Sequence, residues 1–556
     1  MGDLLQKIKT LYPEKAVEVH DKLVRIIDDF KSKRTQTEVK PLFTEQDVIL
    51  VCYADHVSEP AIKTFKTMHK FLQEFAKGII NKVHFLPFFP YTSDDGFSVV
   101  DYYAVNEPFG SWEDLRSISK DFSIMADCVA NHVSVKSEWF KKFLEGDAKY
   151  KNFFIAFDKE VDTSTVFRPR TSPLFTTFET NEGKKFVWTT FSDDQVDINY
   201  SNPDVFLDMV KVLLFYIENG IDAIRLDAIA YAWKKLGTTC FDLPELHTLV
   251  QLIHDVFKEA DPNVWLITET VLPHKENTSY FGDGNNEANL IYNFVLETLL
   301  LHTFLQQDSS KATEWLSSIG ETGNETALLN LSISHDGIHT GPARDVLNNE
   351  ELQTIADECV TKGGKVLYRT SEDGGKEPYE FNITFPSAIG SIEGFLASQS
   401  IQLAIQGVPL IYFNNFIGAK NWSEGVEKLG YSRAINRQKF NYDSLVAELN
   451  DSNSNKYKVY TGYTKMIKAR INEPLFSPLA GQKILNLSPS VVAILRRNDS
   501  GSLLAITNVT EKEVSLNVDL IKDELKKDQV KDVLLDHEIN LENGLILSAY
   551  EVKWLK

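Results

Sequence analysis

The chain has 556 residues, with 43% hydrophobic and 25% charged residues and a formal net charge of −21. Its length suits several domains, and the strong acidity argues against a nucleic-acid or anionic-membrane partner. The four cysteines, Cys52, Cys128, Cys240 and Cys359, are widely spaced and form no CxxC motif, so reduced thiols in a cytoplasmic protein are expected rather than a disulfide framework or a zinc site.

The first 45 residues open with MGDLLQKIKTLYPEK, an amphipathic helix pattern unlike a signal peptide, and lead to the charged stretch KSKRTQTEVK. No run of about 18 apolar residues follows, so no membrane span is expected. Eight short apolar runs then share one form, β-branched and aromatic residues ending in a polar cluster. They are DVILVCYADH (47–56), VHFLPFFP (83–90), SIMADCVANH (123–132), GIDAIRLDAI (220–229), VWLITET (264–270), EANLIYNF (287–294), ALLNLSISHD (327–336) and GVPLIYFNNF (407–416). Segments of helical period, such as AIKTFKTMHKFLQEFAKGI and PDVFLDMVKVLLFYIENG, separate several of them. Near-continuous apolar strands alternating with helices predict a parallel α/β sheet, and eight of them predict a (β/α)₈ TIM barrel over 46–132 and 201–474. The alternation is interrupted at 133–200, an inserted domain after strand 3, and at 340–395, an insertion after strand 7. From 475 to 556 short alternating strands predict an antiparallel β domain.

The run GIDAIRLDAI carries charges where a core is expected. Arg225 and Asp227 are two residues apart and share one side of a strand, so at the strand's end they face the barrel mouth. Asp127, Asn131 and His132 end strand 3, Glu269 ends strand 5, His335 and Asp336 end strand 7, and Asp55 ends strand 1. Such a set suits retaining glycoside cleavage. Asp227 would be the carboxylate nucleophile, held ionised by Arg225, and Glu269 the less solvated acid. Asp336 would bind sugar hydroxyls and stabilise the oxocarbenium-like transition state, and His132 and His335 would donate to hydroxyls. A metal site built from the two histidines fits less well. No oxygen-ligand loop for calcium is present, so neither metal nor cofactor is expected.

DCVANH, GIDAIRLDA, the glutamate of ITET and ISHD resemble, in order, the four motif regions of the α-amylase superfamily, glycoside hydrolase family 13. The resemblance implies the same roles for Asp227, Glu269 and Asp336, with Arg225, His132 and His335 lining a glucose subsite. FLPFFPYTSDDGFSVVDY, FRPR, WTTFSDDQVDINY, LGTTC and GYSRAINR are similar to the sucrose phosphorylase branch, in which inorganic phosphate replaces water in the second step. This implies an Asp55–Arg433 pair beneath the glucose and Tyr102 and Gln195 at the sugar. Phosphate would be bound by Arg168 or Arg170, with His339 and Arg344 on the acceptor side. The helical prefix, TETVLPHKEN and GVEKLGYSRAINR look most like glucosylglycerate phosphorylases. His339 stands where a glycine is expected and Lys235 where a glutamate is expected, and both changes add positive potential that would suit an anionic acceptor.

The expected activity is therefore reversible phosphorolysis of a small α-glucoside, with 2-O-α-glucosylglycerate ahead of sucrose or sucrose 6′-phosphate. The partners are small sugars and phosphate. A hydrolase or transglucosylase would use the same carboxylates, and a silent barrel serving as a binding module would lack one of them. No feature specifies an oligomeric state.

Overall fold

The computed structural model describes residues 2–34, 38–170, 172–320, 322–370 and 375–556. Part of the charged stretch after the prefix, residues 35–37, lies outside them. Eight parallel strands close into a barrel in sequential order: β1 (Ile49–Cys52), β2 (Lys82–Phe85), β3 (Ser123–Val129), β4 (Ala223–Asp227), β5 (Trp265–Thr268), β6 (Leu290–Asn293), β7 (Ala327–Asn330) and β8 (Val408–Tyr412). The expected (β/α)₈ architecture is the observed one. The residues of β1, β4, β5, β6, β7 and β8 are buried throughout, because helices cover the outside and side chains fill the inside. The register sets Arg225 of β4 directly opposite Asp127 of β3, which brings two charged residues together across neighbouring strands.

Two helices precede the barrel, Gly2–Leu11 and Ala16–Ser32. The second buries Val19, Leu23, Ile27 and Phe30 at three- and four-residue spacing, the stripe a helix needs to lie on a core. Lys7 pairs with Asp255 at 2.7 Å, and the Tyr12 hydroxyl donates to the Tyr200 carbonyl.

After β3, the strand His132–Ser134 pairs with Gln195–Asp197, and between them lies a three-stranded sheet of Ala156–Phe157, Phe175–Thr180 and Gly183–Trp188. After β7 come the helix Asn349–Thr361 and the hairpin Lys365–Thr370 with Lys376–Asn382, to which Ile338–His339 adds a third strand. Beyond residue 480 a six-stranded antiparallel sheet packs on the helix Ile392–Ala404. There the buried Arg496 donates to the Ala404, Ser477 and Ala480 carbonyls, and the Trp554 indole donates to Ser400. Among the described residues no helix is long and apolar enough to cross a membrane. All four cysteines are free and buried.

Candidate active site

The carboxyls at the barrel mouth are positioned by strand ends and by the turns that follow them. Asp227 is the last residue of β4, and Arg225 donates to it at 2.6 Å while also pairing with Asp127. The next residue, Ala228, has φ +49°, an uncommon conformation for a residue with a side chain. This turn aims the Ala228 amide at Glu269, the first residue past β5, whose carboxylate accepts it at 3.0 Å. The Arg225 guanidinium also lies 3.8 Å from Glu269.

Asp336 belongs to the loop after β7. Gly337 follows it with φ +106°, and a Cβ there would lie 2.6 Å from the Phe381 carbonyl, so only glycine lets the loop approach the hairpin strand so closely. Arg433 donates to Asp336 and forks onto Glu380 at 3.0 and 2.6 Å. Arg437 donates to Asp336 at 3.2 Å, to Asp95 at 2.6 Å and to the His335 carbonyl at 2.9 Å.

Two rings form a wall of the pocket. Phe97 stacks on His335 with centroids 5.1 Å apart and planes 3° apart, and Arg225 lies over the Phe97 ring at 5.9 Å. His132 donates through Nε2 to the Phe97 carbonyl at 2.9 Å, and Gln195 donates to the same oxygen at 3.2 Å. Beneath them Arg225, His335, His84 and Asp336 line a cavity of about 10 Å³, room for about one water. The buried Arg225 Nε and His84 Nδ1 have no protein partner and are suited to hydrogen-bond such a water.

The electrostatics separate the carboxyls. Burial alone would raise Asp336, but Arg433 first and Arg437 hold it well below the usual carboxylate range. Burial drives His335 down to about 3 and also lowers His132, so both rings stay neutral. Asp227 is pushed well above the usual range, by burial first and by the charges of Glu269 and Asp127, against the pull of Arg225. Arg225 pulls Asp227 down, as expected, but burial and the neighbouring carboxyls set the net direction. The guanidinium is shared with Asp127, so its attraction does not offset desolvation.

Other expectations are also corrected. Asp55 and Arg433 do not pair, because Asp55 meets Lys439 at 2.6 Å and Arg433 is taken by Asp336 and Glu380. Tyr102 does not lie against the sugar position. Its hydroxyl donates to the Val129 and His132 carbonyls and its ring packs on Trp139, while Phe97 takes the wall. Arg344 is committed to Glu377, Asn349 and the Pro378 carbonyl within the insertion, and His339 pairs at 3.1 Å with Glu297 of the helix Val295–Gln306 that follows β6. Arg168 is exposed and donates to the Ser172 carbonyl, and Lys235 pairs on the surface with Glu245. Arg170 is half-buried, and its charge acts on the phenols of Tyr231 and Tyr379. Sequence reasoning passed over Arg437, Phe97, Lys439 and Lys234. Arg437 lies in the same GYSRAINR stretch as Arg433, so only the choice between two arginines was open. Lys234 is buried against Asp197 and also donates to Asn131, beneath His132. Among the described residues no cluster of three His, Cys, Asp or Glu could hold a metal ion.

Comparison with known proteins agrees with this geometry. Residues 71–339 match the family model of the α-amylase catalytic domain. The chain is 42% identical to a glucosylglycerate phosphorylase of Spirochaeta thermophila over 90% of this chain and 88% of that one. It is 36% identical to a glucosylglycerate phosphorylase of Escherichia coli over 96% of both. The solved sucrose 6F-phosphate phosphorylase of Thermoanaerobacter thermosaccharolyticum superposes with a TM-score of 0.75 at 24% identity, covering 84% of this chain and 94% of that one, and shares the fold. With its barrel, its strand-end carboxyls and these relatives, the chain belongs to the α-amylase family, glycoside hydrolase family 13, and within it to the phosphorylases.

Proposed function

We propose that this enzyme is a retaining phosphorylase of 2-O-α-glucosylglycerate, acting in a reducing, cytoplasmic setting that suits its four free thiols. In the first step an Asp227 oxygen attacks the anomeric carbon and the glycosidic bond breaks. Glu269 gives its proton to the departing glycerate oxygen, leaving a glucosyl ester on Asp227. In the second step an oxygen of inorganic phosphate attacks the same carbon, Glu269 takes up the phosphate proton, and Asp227 leaves as a carboxylate with α-glucose 1-phosphate formed. Asp336, fixed as an anion by Arg433 and Arg437, stabilises the positive charge that develops on the sugar ring in both steps.

The observation that carries the phosphate step is Arg170. Among the described residues it has no acidic partner, whereas Arg225, Arg344, Arg433 and Arg437 are each paired. Tyr231, which feels the charge of Arg170, also feels that of Glu269, so an unpaired guanidinium lies near enough to Glu269 for both to act on one phenol. An incoming phosphate needs such a cation beside so many carboxyls, and glycerate brings a negative charge of its own.

Supplying α-glucose 1-phosphate with glycerate, glycerol, fructose or fructose 6-phosphate tests the reading through phosphate release. Glycerate is expected to release phosphate fastest. A preference for fructose or its phosphate would move the assignment to sucrose or sucrose 6′-phosphate, and release of free glucose irrespective of acceptor would make the enzyme a hydrolase.

A further inference from the structure

On the outer side of the segment that follows β8 lies a second cavity, of about 580 Å³, within the range of small-molecule sites. It is bounded by Gly418–Glu424, by Gln438 and by the start of the helix Asn455–Ile471. One wall is the indole of the half-buried Trp422. Gly425 lies against this ring, and a Cβ at that position would overlap the indole, so the glycine is what lets the plane sit where it does.

The polar lining has unused hydrogen-bonding capacity. The side chains of Gln438, Asn455 and Glu424 have no hydrogen-bond or ion-pair partner among the described residues. Charge is balanced, because Lys420 and Lys456 face Glu424 and Glu448, and Lys456 pairs with Glu448 at 2.6 Å. No net field therefore selects an anion. Amide donors and acceptors and a carboxylate around a flat aromatic face match a polyhydroxylated ring, whose hydroxyls bond both ways while its C–H face packs on the indole.

We propose that this cavity is a second carbohydrate site, taking a neutral sugar of mono- to disaccharide size. Gln438, which lines it, stands in the chain between Arg437 and Lys439, which pair with Asp336 and Asp55.

The test uses the full chain carrying Asp227→Asn, which cannot form the glucosyl ester, with excess α-glucose 1-phosphate to fill the catalytic pocket. Maltose, then glucose, is titrated calorimetrically. A weak isotherm is expected that loses about tenfold in affinity on adding Trp422→Ala or Gln438→Ala. Gln438→Ala removes no aromatic packing, so loss in that variant with an unchanged unfolding midpoint is not a folding failure. Binding that neither substitution alters, or no binding of either sugar, would overturn the site.

Discussion

The backbone amide of Ala228 donates to the carboxylate of Glu269 at 3.0 Å, so the residue after Asp227 orients Glu269. Asp227 and Glu269 are thereby held in one geometry by a single turn, and Glu269→Gln keeps an oxygen for that amide. The substitution is therefore expected to change proton transfer and to preserve the fold. α-Glucose 1-phosphate, whose leaving group needs little protonation, should still glucosylate the enzyme slowly. A glucoside with an alkoxide leaving group should lose about 10²- to 10⁴-fold. Intact-mass measurement of the variant with α-glucose 1-phosphate should show one added glucosyl group, absent when Asp227→Asn is added. Equal losses on both donors would make Glu269 structural.

Arg170→Ala is expected to lower the ratio of α-glucose 1-phosphate to free glucose at fixed phosphate by about ten- to a hundredfold. This corresponds to about 1.5–3 kcal/mol for one charged hydrogen-bonding partner. Arg168→Ala, at an exposed guanidinium bonded to a carbonyl, should leave the ratio unchanged. The reverse outcome would exchange the two assignments.

Lys234 and Asp197 form an ion pair with side chains 3% and 0% exposed, joining the turn after β4 to the inserted strand that ends at Asp197. Lys234→Met strands a buried carboxylate and should destabilise the protein by about 3–5 kcal/mol, whereas Lys234→Met with Asp197→Asn should recover much of it. Denaturant unfolding of both variants measures this. Equal destabilisation in the two would mean that packing, not charge, matters at Lys234.

His247 is raised to about 9. Burial opposes this, but hydrogen bonds to Asp242 and Glu287 prevail, and Asp242 is lowered in turn. A histidine whose folded value exceeds the unfolded one of about 6.5 stabilises fully below that pH and loses the contribution as pH rises through about 9. His247→Gln should thus cost on the order of 2–3 kcal/mol at pH 6 and little at pH 10, relative to the wild type at the same pH. A stability gap that does not change between the two would contradict the charged pairing.

The barrel was legible because each strand is buried on both faces and so reads as an apolar run with a polar cluster at its end. Arg225, Asp227, Glu269 and Asp336 stand at or just past such ends, and that is how the sequence made them candidates. What lay beyond the sequence were contacts between loops. Nothing local says that Lys439 rather than Arg433 reaches Asp55, or that Phe97 rather than Tyr102 turns into the pocket, because those choices depend on chain segments hundreds of residues apart. The direction in which Asp227 is shifted was misjudged for a related reason. Its partner Arg225 was visible two residues away, but the competing Asp127 arrives from the neighbouring strand.

The most direct measurement is the product analysis of purified enzyme given 2-O-α-glucosylglycerate and millimolar phosphate. A glucosylglycerate phosphorylase must yield α-glucose 1-phosphate and glycerate in equal amounts, with free glucose a minor product. Free glucose as the main product, with no dependence on phosphate, would contradict the assignment and leave a hydrolase built on the same carboxyls.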